Sequence, residues 1–312
     1  MRVRTVDYHT GGEPFRIVPA PPVEIPGRTV AERRRFAIGD PAVDGLRQML
    51  CFEPRGHADM YGGFLVPPDD DGATLGVLFW HKDGFSTACG HGTIALGAWA
   101  VRSGLVPAPG DGAADVVIDV PSGRVTARVH RAAGRVTSVD FVSVPSHHIA
   151  TAVEVPTSRG VVLADVSYGG AMYAQVDAAT VGLPVTPSAH QELIALGREV
   201  KRALGEEFYG TILYERLGPL HHRNATVFAD GELDRSPCGS GTAARVATLA
   251  ATGELAPGEV LVHDSIVGSR FTASYPAGDV VRPVITGMAY PTGEHEFVVD
   301  PDDPMTPGFV LR

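Results

Sequence analysis

CGHGTIALGAWA at residues 89–100 and CGSGTAARVATL at residues 238–249 are two copies of one element. Aligned on Cys89 and Cys238, they share the cysteine, both glycines, the threonine and two alanines, at a spacing of nearly half the 312-residue chain. Self-similarity at that spacing implies two similar α/β halves, each with one Cys-Gly-x-Gly-Thr element. Each copy follows a polar turn, Asp83-Gly84-Phe85-Ser86-Thr87 or Asp234-Arg235-Ser236-Pro237, and runs into an Ala-rich helical stretch. Each cysteine is therefore placed at a helix start, where unpaired N–H groups and the helix dipole favour a thiolate. The flanking glycines let a ligand approach the backbone, and the N–H groups after the cysteine can receive a carboxylate. If the two elements face each other across a cleft, one thiolate can take a proton from a carbon acid while the other thiol delivers one to the opposite face.

Outward from these elements the chain reads as short strands. LGVLFW at 75–80, DVVIDV at 115–120, RVTARVH at 124–130 and RVTSVDFV at 135–142 are β-branched runs, and Pro121-Ser122-Gly123 is a hairpin turn between the second and third. The texture returns in GVVLADVSYGG, AMYAQV, ATVFADG, EVLVH and DVVRPVITG. The spacing predicts a helix over 188–204, capped by Ser188 and stopped by Gly205, and another starting at Asp40-Pro41. The halves are expected to be 1–150, carrying Cys89, and 151–292, carrying Cys238. The polar, Pro-bearing PSHHIATAVEVPTS marks their boundary, and a tail of about 293–312 is a candidate to pack back onto the first half.

Composition excludes other classes. Hydrophobic residues are 44% and charged residues 20%, which describes a folding globular chain. Lys+Arg 26 against Asp+Glu 36 gives a net charge of −10, which disfavours nucleic acid and anionic membranes as partners. No run approaches the ~20 apolar residues of a membrane span, and MRVRTVDYHT lacks an apolar core, so a soluble, cytoplasmic protein is expected. Three cysteines make no disulfide framework, and Cys51, on the apolar side of its helix, reads as core. Cys89-x-His91 lacks the partners of a zinc site, and neither GxGxxG nor GxxxxGK[ST] is present, so neither a metal nor a nucleotide is expected.

CGHGTIALG at 89, DRSPCGSGTAA at 234, EPRGHADMYG at 53, YHTGGEP at 8 and HDSIVGSRF at 263 together resemble the proline racemase family. That family includes proline racemases, 4-hydroxyproline 2-epimerases and trans-3-hydroxy-L-proline dehydratases. The resemblance implies a fold similar to diaminopimelate epimerase, with two pseudo-symmetric halves, each a curved β-sheet around a central helix. It also implies catalysis without a cofactor, by a monomer or homodimer. Carried over, Cys89 and Cys238 are the acid/base pair, the amides of Gly90, His91, Gly239 and Ser240 hold the substrate carboxylate, and Asp234 takes the ring amine. Tyr61 and Phe228 match aromatic walls. Competing readings stand beside these: Asp234 as a helix cap, His91 as a loop former, Tyr61 and Phe228 as plain core. His57 and His222 are read as structural hydrogen-bonding residues. The family's dehydratases usually carry threonine at the second cysteine position, whereas this chain has Cys238, and two thiols suit inversion. The expected activity is Cα epimerisation of an imino acid, with trans-4-hydroxy-L-proline ranked first and proline next. The alternatives are trans-3-hydroxy-L-proline dehydration and a non-catalytic imino-acid binding protein.

Overall fold

The computed structural model describes residues 1–311. Its fold is mixed α/β, with five α-helices among the described residues: α1 (Val30–Gly39), α2 (Pro41–Cys51), α3 (Gly90–Arg102), α4 (His190–Leu204) and α5 (Gly239–Ala251). No helix is long and apolar enough to cross a membrane. Contacts divide the chain into two compact units, one of Met1–Val139 with the stretch from Met288 onward, the other of Asp140–Gly287. The boundary expected near 150 falls inside strand His147–Thr157, which pairs with Gly160–Tyr168. That segment is polar because most of its residues are exposed, not because it is a linker.

In the first unit, strand Glu13–Val18 pairs in parallel with Gly62–Val66, and α1 and α2 form the crossover between them. Strand Leu75–His81 pairs in parallel with Gly112–Val120, and here the crossover is α3. Parallel neighbours require such a crossover, because a tight turn cannot reverse the chain twice. The hairpin read at Pro121-Ser122-Gly123 is present, with Val120 opposite Gly123 and Val117 opposite Thr126. Strand Ala289–Val298 lies antiparallel to Arg2–Thr10, from Arg2 opposite Val298 to Thr10 opposite Ala289. It brings Phe297 under the Arg16 guanidinium, 4.4 Å from the ring centre, while Arg16 holds Asp7 at 2.7 Å in a buried ion pair.

The second unit repeats the plan. Strand Met172–Asp177 pairs in parallel with Phe208–Gly218 across α4, and strand His221–Phe228 pairs in parallel with Leu261–Ser265 across α5. In each unit one helix carries an apolar stripe and another is buried around nearly its whole circumference. On α4 only Leu193, Leu196, Gly197 and Val200 are buried, whereas on α5 every residue from Gly239 to Leu249 is. On α3 burial is equally complete from Gly90 to Ala98. A helix of small and apolar residues on all sides is stable only when strands surround it. The sequence supplies this with Ala95, Gly97 and Ala98 in one copy, and Ala243, Ala244 and Ala247 in the other.

One local expectation is corrected. Ser188 does not cap α4; it lies in a short 3-10 turn, Pro187–Ala189, and its hydroxyl bonds Thr186 Oγ1 at 3.0 Å. The helix α1 was not read from the sequence, since its Arg-rich face leaves only Val30, Arg33 and Ala37 buried. By contrast α2 starts as expected, with Asp40 accepting from the Ala42 and Val43 amides ahead of Pro41.

Candidate active site

Both cysteines of the repeated element are helix N-caps. After strand Leu75–His81 a hairpin sets Trp80 opposite Phe85, and the chain then enters α3 at Cys89. Cys89 Sγ accepts from the Gly92 amide at 3.2 Å, and its carbonyl accepts from the Thr93 amide at 3.0 Å and hydroxyl at 2.8 Å. The intrahelical ladder thus begins at Thr93, so the amides of Gly90 and His91 lie ahead of it with no acceptor inside the helix. Gly92 is required by the approach of its neighbours: a Cβ there would lie 2.4 Å from the Phe15 ring and 2.7 Å from Cys89 Sγ.

His91 is buried beside the sulfur, its ring nitrogens 3.5 and 3.6 Å from Cys89 Sγ. Burial pushes its pKa down to about 3 against the opposing bond to the Pro14 carbonyl, so the imidazole is neutral. Two rings meet it edge-on, Tyr61 at 4.9 Å and Phe15 at 5.8 Å between centroids. The Tyr61 hydroxyl is shared with Ser86 Oγ at 2.5 Å. The first unit therefore brings Cys89, Gly90, His91 and Tyr61 into one buried cluster.

The second unit assembles Cys238, Gly239, Ser240 and Asp234 in the same way. Strand His221–Phe228 turns back through Glu232–Leu233, with Phe228 opposite Glu232, and the chain enters α5 at Cys238. Cys238 Sγ accepts from the Gly241 amide at 3.3 Å, and the Cys238 carbonyl from the Thr242 amide at 2.7 Å. The amides of Gly239 and Ser240 thus repeat the positions of Gly90 and His91. Cys238 has φ +62°, a strained conformation for a residue with a Cβ, and the Ser236 hydroxyl holds it by accepting the Cys238 amide at 3.1 Å.

Asp234 does not cap α5. Its carboxylate accepts from the Ser236 amide at 2.8 Å and hydroxyl at 2.7 Å, and the Cys238 thiol donates to it. Burial pushes the Asp234 pKa up to about 6 despite these donors. At Cys238 the helix start, which by itself favours a thiolate, is outweighed. Burial, followed by the nearby Asp234 charge, drives the thiol well above its ordinary range, and the Gly241 amide offsets only part of this.

Phe228 stacks on Tyr209 with centroids 5.6 Å apart, and Tyr209 meets Tyr173 edge-on at 5.8 Å. Phe228 therefore stands behind Tyr209 and Tyr173, two rings away from the sulfur. Sequence reasoning missed Tyr173 and Ser236, although Ser236 sits inside the quoted DRSPCG turn. The three remaining residues serve structure: Cys51 is core and donates to the Met60 carbonyl at 3.3 Å, His57 Nδ1 accepts from the Asp59 amide at 3.2 Å, and His222 lies under Arg245.

Residues 5–310 match the model of the family described as proline racemase. The chain belongs to the proline racemase family. Within it, the chain is 42% identical to a trans-3-hydroxy-L-proline dehydratase of Burkholderia ambifaria, over 99% of this chain and 98% of the relative. It is also 42% identical to a 3-hydroxyproline 2-epimerase of Burkholderia multivorans, again over 99% and 98%. A crystal structure of a hydroxyproline epimerase from Agrobacterium vitis, with bound trans-4-hydroxy-L-proline, superposes with a TM-score of 0.91 at 29% identity, covering 99% of this chain and 96% of that one. The protein is thus an enzyme, and proline racemase family members include both isomerases and dehydratases.

Proposed function

We propose that this enzyme is a hydroxyproline 2-epimerase in which Cys89 and Cys238 act on the two faces of one Cα. The observation that carries the reading is Cys238 itself, a second buried thiol set at a helix start by the same bond to the third helical amide as Cys89. Inversion needs a base on one face and an acid on the other, and two thiols supply both without a cofactor. The first-turn amides of Gly90, His91, Gly239 and Ser240 take the substrate carboxylate, and Asp234 takes the ring ammonium. Fixed N–H donors at the carboxylate stabilise the enolate-like charge that builds as the Cα proton leaves. Tyr61 and Phe228 give apolar walls that keep water from the carbanion. A free imino acid is the partner this chemistry calls for, and the reduced cytoplasm is where two thiols are maintained.

The sequence reading ranked the 4-hydroxy substrate first; the names of the relatives at 42% identity shift the ranking to 3-hydroxyproline. With a hydroxyl at C3, the Cα carbanion can either be reprotonated or expel hydroxide, which is the dehydratase reaction. The dehydratase names favour that second reading, and Cys238 as a ready proton donor favours reprotonation. Proton NMR in D₂O with trans-3-hydroxy-L-proline, trans-4-hydroxy-L-proline and L-proline in parallel decides. The expected result is loss of the Cα proton signal from the 3-hydroxy compound with growth of its cis-D epimer. Conversion to a dehydrated cyclic imine instead would establish the dehydratase, and no change in any tube would overturn both.

The Asp234 role carries a pH signature. Its carboxylate pairs with a cationic amine, and an acid whose pKa stands near 6 loses that charge as pH falls through 6. We expect kcat/KM to drop about tenfold between pH 7 and pH 5 on this account. Asp234→Asn should raise KM by roughly 10- to 100-fold, the worth of a hydrogen bond to a charged group, and flatten the acid limb. A limb unchanged in the variant would assign it to another group.

A further inference from the structure

The two helix starts differ in what stands beside the sulfur. In the first unit the residue two past the cysteine is His91, with both ring nitrogens within 3.6 Å of Cys89 Sγ. In the second unit the matching residue is Ser240, and a tyrosine from strand Met172–Asp177 takes the imidazole's place. The Tyr173 hydroxyl lies 2.7 Å from Ser240 Oγ and 3.8 Å from Cys238 Sγ, and Tyr173 is fully buried. We propose that Tyr173 is a positioning residue for Cys238, its O–H bonding Ser240 while Cys238 is a thiol and turning to the sulfur when Cys238 becomes a thiolate. That role in turnover rests on the two-thiol reading.

Each hydroxyl has one proton to donate, so the Tyr173–Ser240 pair has two arrangements. With Cys238 protonated, its S–H donates to Asp234 and the phenol can donate to Ser240 Oγ. After Cys238 gives its proton to Cα, the sulfur needs donors. The Gly241 amide already points at it, the phenol turns toward it, and the Ser240 hydroxyl donates to the phenol oxygen. The phenol stays protonated throughout, because burial and the neighbouring sulfur and Tyr209 raise it well above its ordinary value. The groups acting on Cys238 are thus Asp234, which opposes the thiolate, and Tyr173 and the Gly241 amide, which favour it; Arg235 acts on Asp234. An otherwise buried thiolate gains most from a donor that is silent until the charge appears.

Alkylation by iodoacetamide tests this in the full-length protein without any substrate, with the Cys238 and Cys89 peptides followed separately by mass spectrometry. A hydrogen bond to a charged group corresponds to about one pH unit or more, so Tyr173→Phe should slow alkylation of Cys238 at pH 8 about tenfold and leave Cys89 unchanged. Slowing cannot come from access, since phenylalanine is the smaller side chain. Ser240→Ala leaves the phenol only the sulfur as acceptor and should not slow Cys238. With the epimerisation substrate, Tyr173→Phe should lower kcat about tenfold at near-constant KM. An unchanged Cys238 rate, equal slowing at Cys89, slowing of Cys238 by Ser240→Ala, or an unchanged kcat would each overturn the proposal. If the wild-type enzyme turned over no imino acid, the proposed function would fall while the alkylation rates still decided the Tyr173 contact.

Discussion

Cys238→Ser is expected to abolish inversion, with kcat for epimerisation down by about a thousandfold or more, while one enantiomer of the substrate still exchanges its Cα proton with solvent. A serine hydroxyl fits the N-cap and can accept the Gly241 amide as the sulfur does, so α5 should start in the same place. The hydroxyl cannot shuttle protons at neutral pH, and general acid–base groups contribute roughly 10²- to 10⁴-fold. Cys89 is untouched and can still remove and return a proton on its own face. Cys89→Ser should give the mirror result, with exchange confined to the other enantiomer. Deuterium incorporation read by NMR for each enantiomer separately is the measurement. Near-normal inversion in either variant would remove that thiol from the mechanism, and exchange of both enantiomers in a single-cysteine variant would mean that one sulfur reaches both faces.

Gly92→Ala is expected to cost up to about 2 kcal/mol of stability and about a hundredfold in kcat. Helix propensity alone argues the other way, since alanine is favoured over glycine by about 1 kcal/mol inside a helix. Packing decides the sign, because the new methyl would stand 2.4 Å from Phe15 and 2.7 Å from Cys89 Sγ, and overpacking of this kind costs about 1–3 kcal/mol. The sulfur and the ring must both move, and a displacement of about 1 Å at a reacting group is enough to lose two orders of magnitude in rate. Gly45 in α2 is the matched control: a Cβ there meets nothing within 4 Å, so Gly45→Ala should stabilise by about 0.5–1 kcal/mol and leave kcat alone. Thermal unfolding and kcat of the two variants, measured together, check the contrast. Stabilisation in both would show that the crevice under α3 yields to an added methyl.

The repeated helix start was legible because its chemistry is local. A cysteine that caps its own helix, a glycine at the third helical position where a side chain would strike the sulfur, and a threonine whose amide and hydroxyl reach back to the first turn are all set within five residues. The strands flanking α3 and the helix α2 were legible for the same reason, through hairpin and cap residues. Helix α1 was not, because its burial is narrow and one of its three buried residues is an arginine, although Thr29 with Glu32 three residues on carries an N-terminal signature. Ser188 failed as a cap because a proline just ahead of it tightens the entry into a 3-10 turn. Tyr173 was beyond a local reading. Its residue type is ordinary for a strand, and its place beside Cys238 follows from a pairing 65 residues away in sequence. Which thiol is ionised at rest was not legible for a similar reason, since burial is a sum over distant neighbours whereas the helix dipole is visible in the segment itself.

Strand Ala289–Val298 completes the sheet of the first unit by pairing with Arg2–Thr10, while the second unit is one uninterrupted stretch, Asp140–Gly287. During synthesis the two halves therefore mature in the reverse of their order along the chain. The second half has all of its residues available once Gly287 has left the ribosome. The first, made earlier, waits with one edge of Arg2–Thr10 unpaired until Ala289–Val298 has emerged. An unpaired strand edge is a template for other chains, so the nascent enzyme is most exposed to misassembly along the edge of Arg2–Thr10.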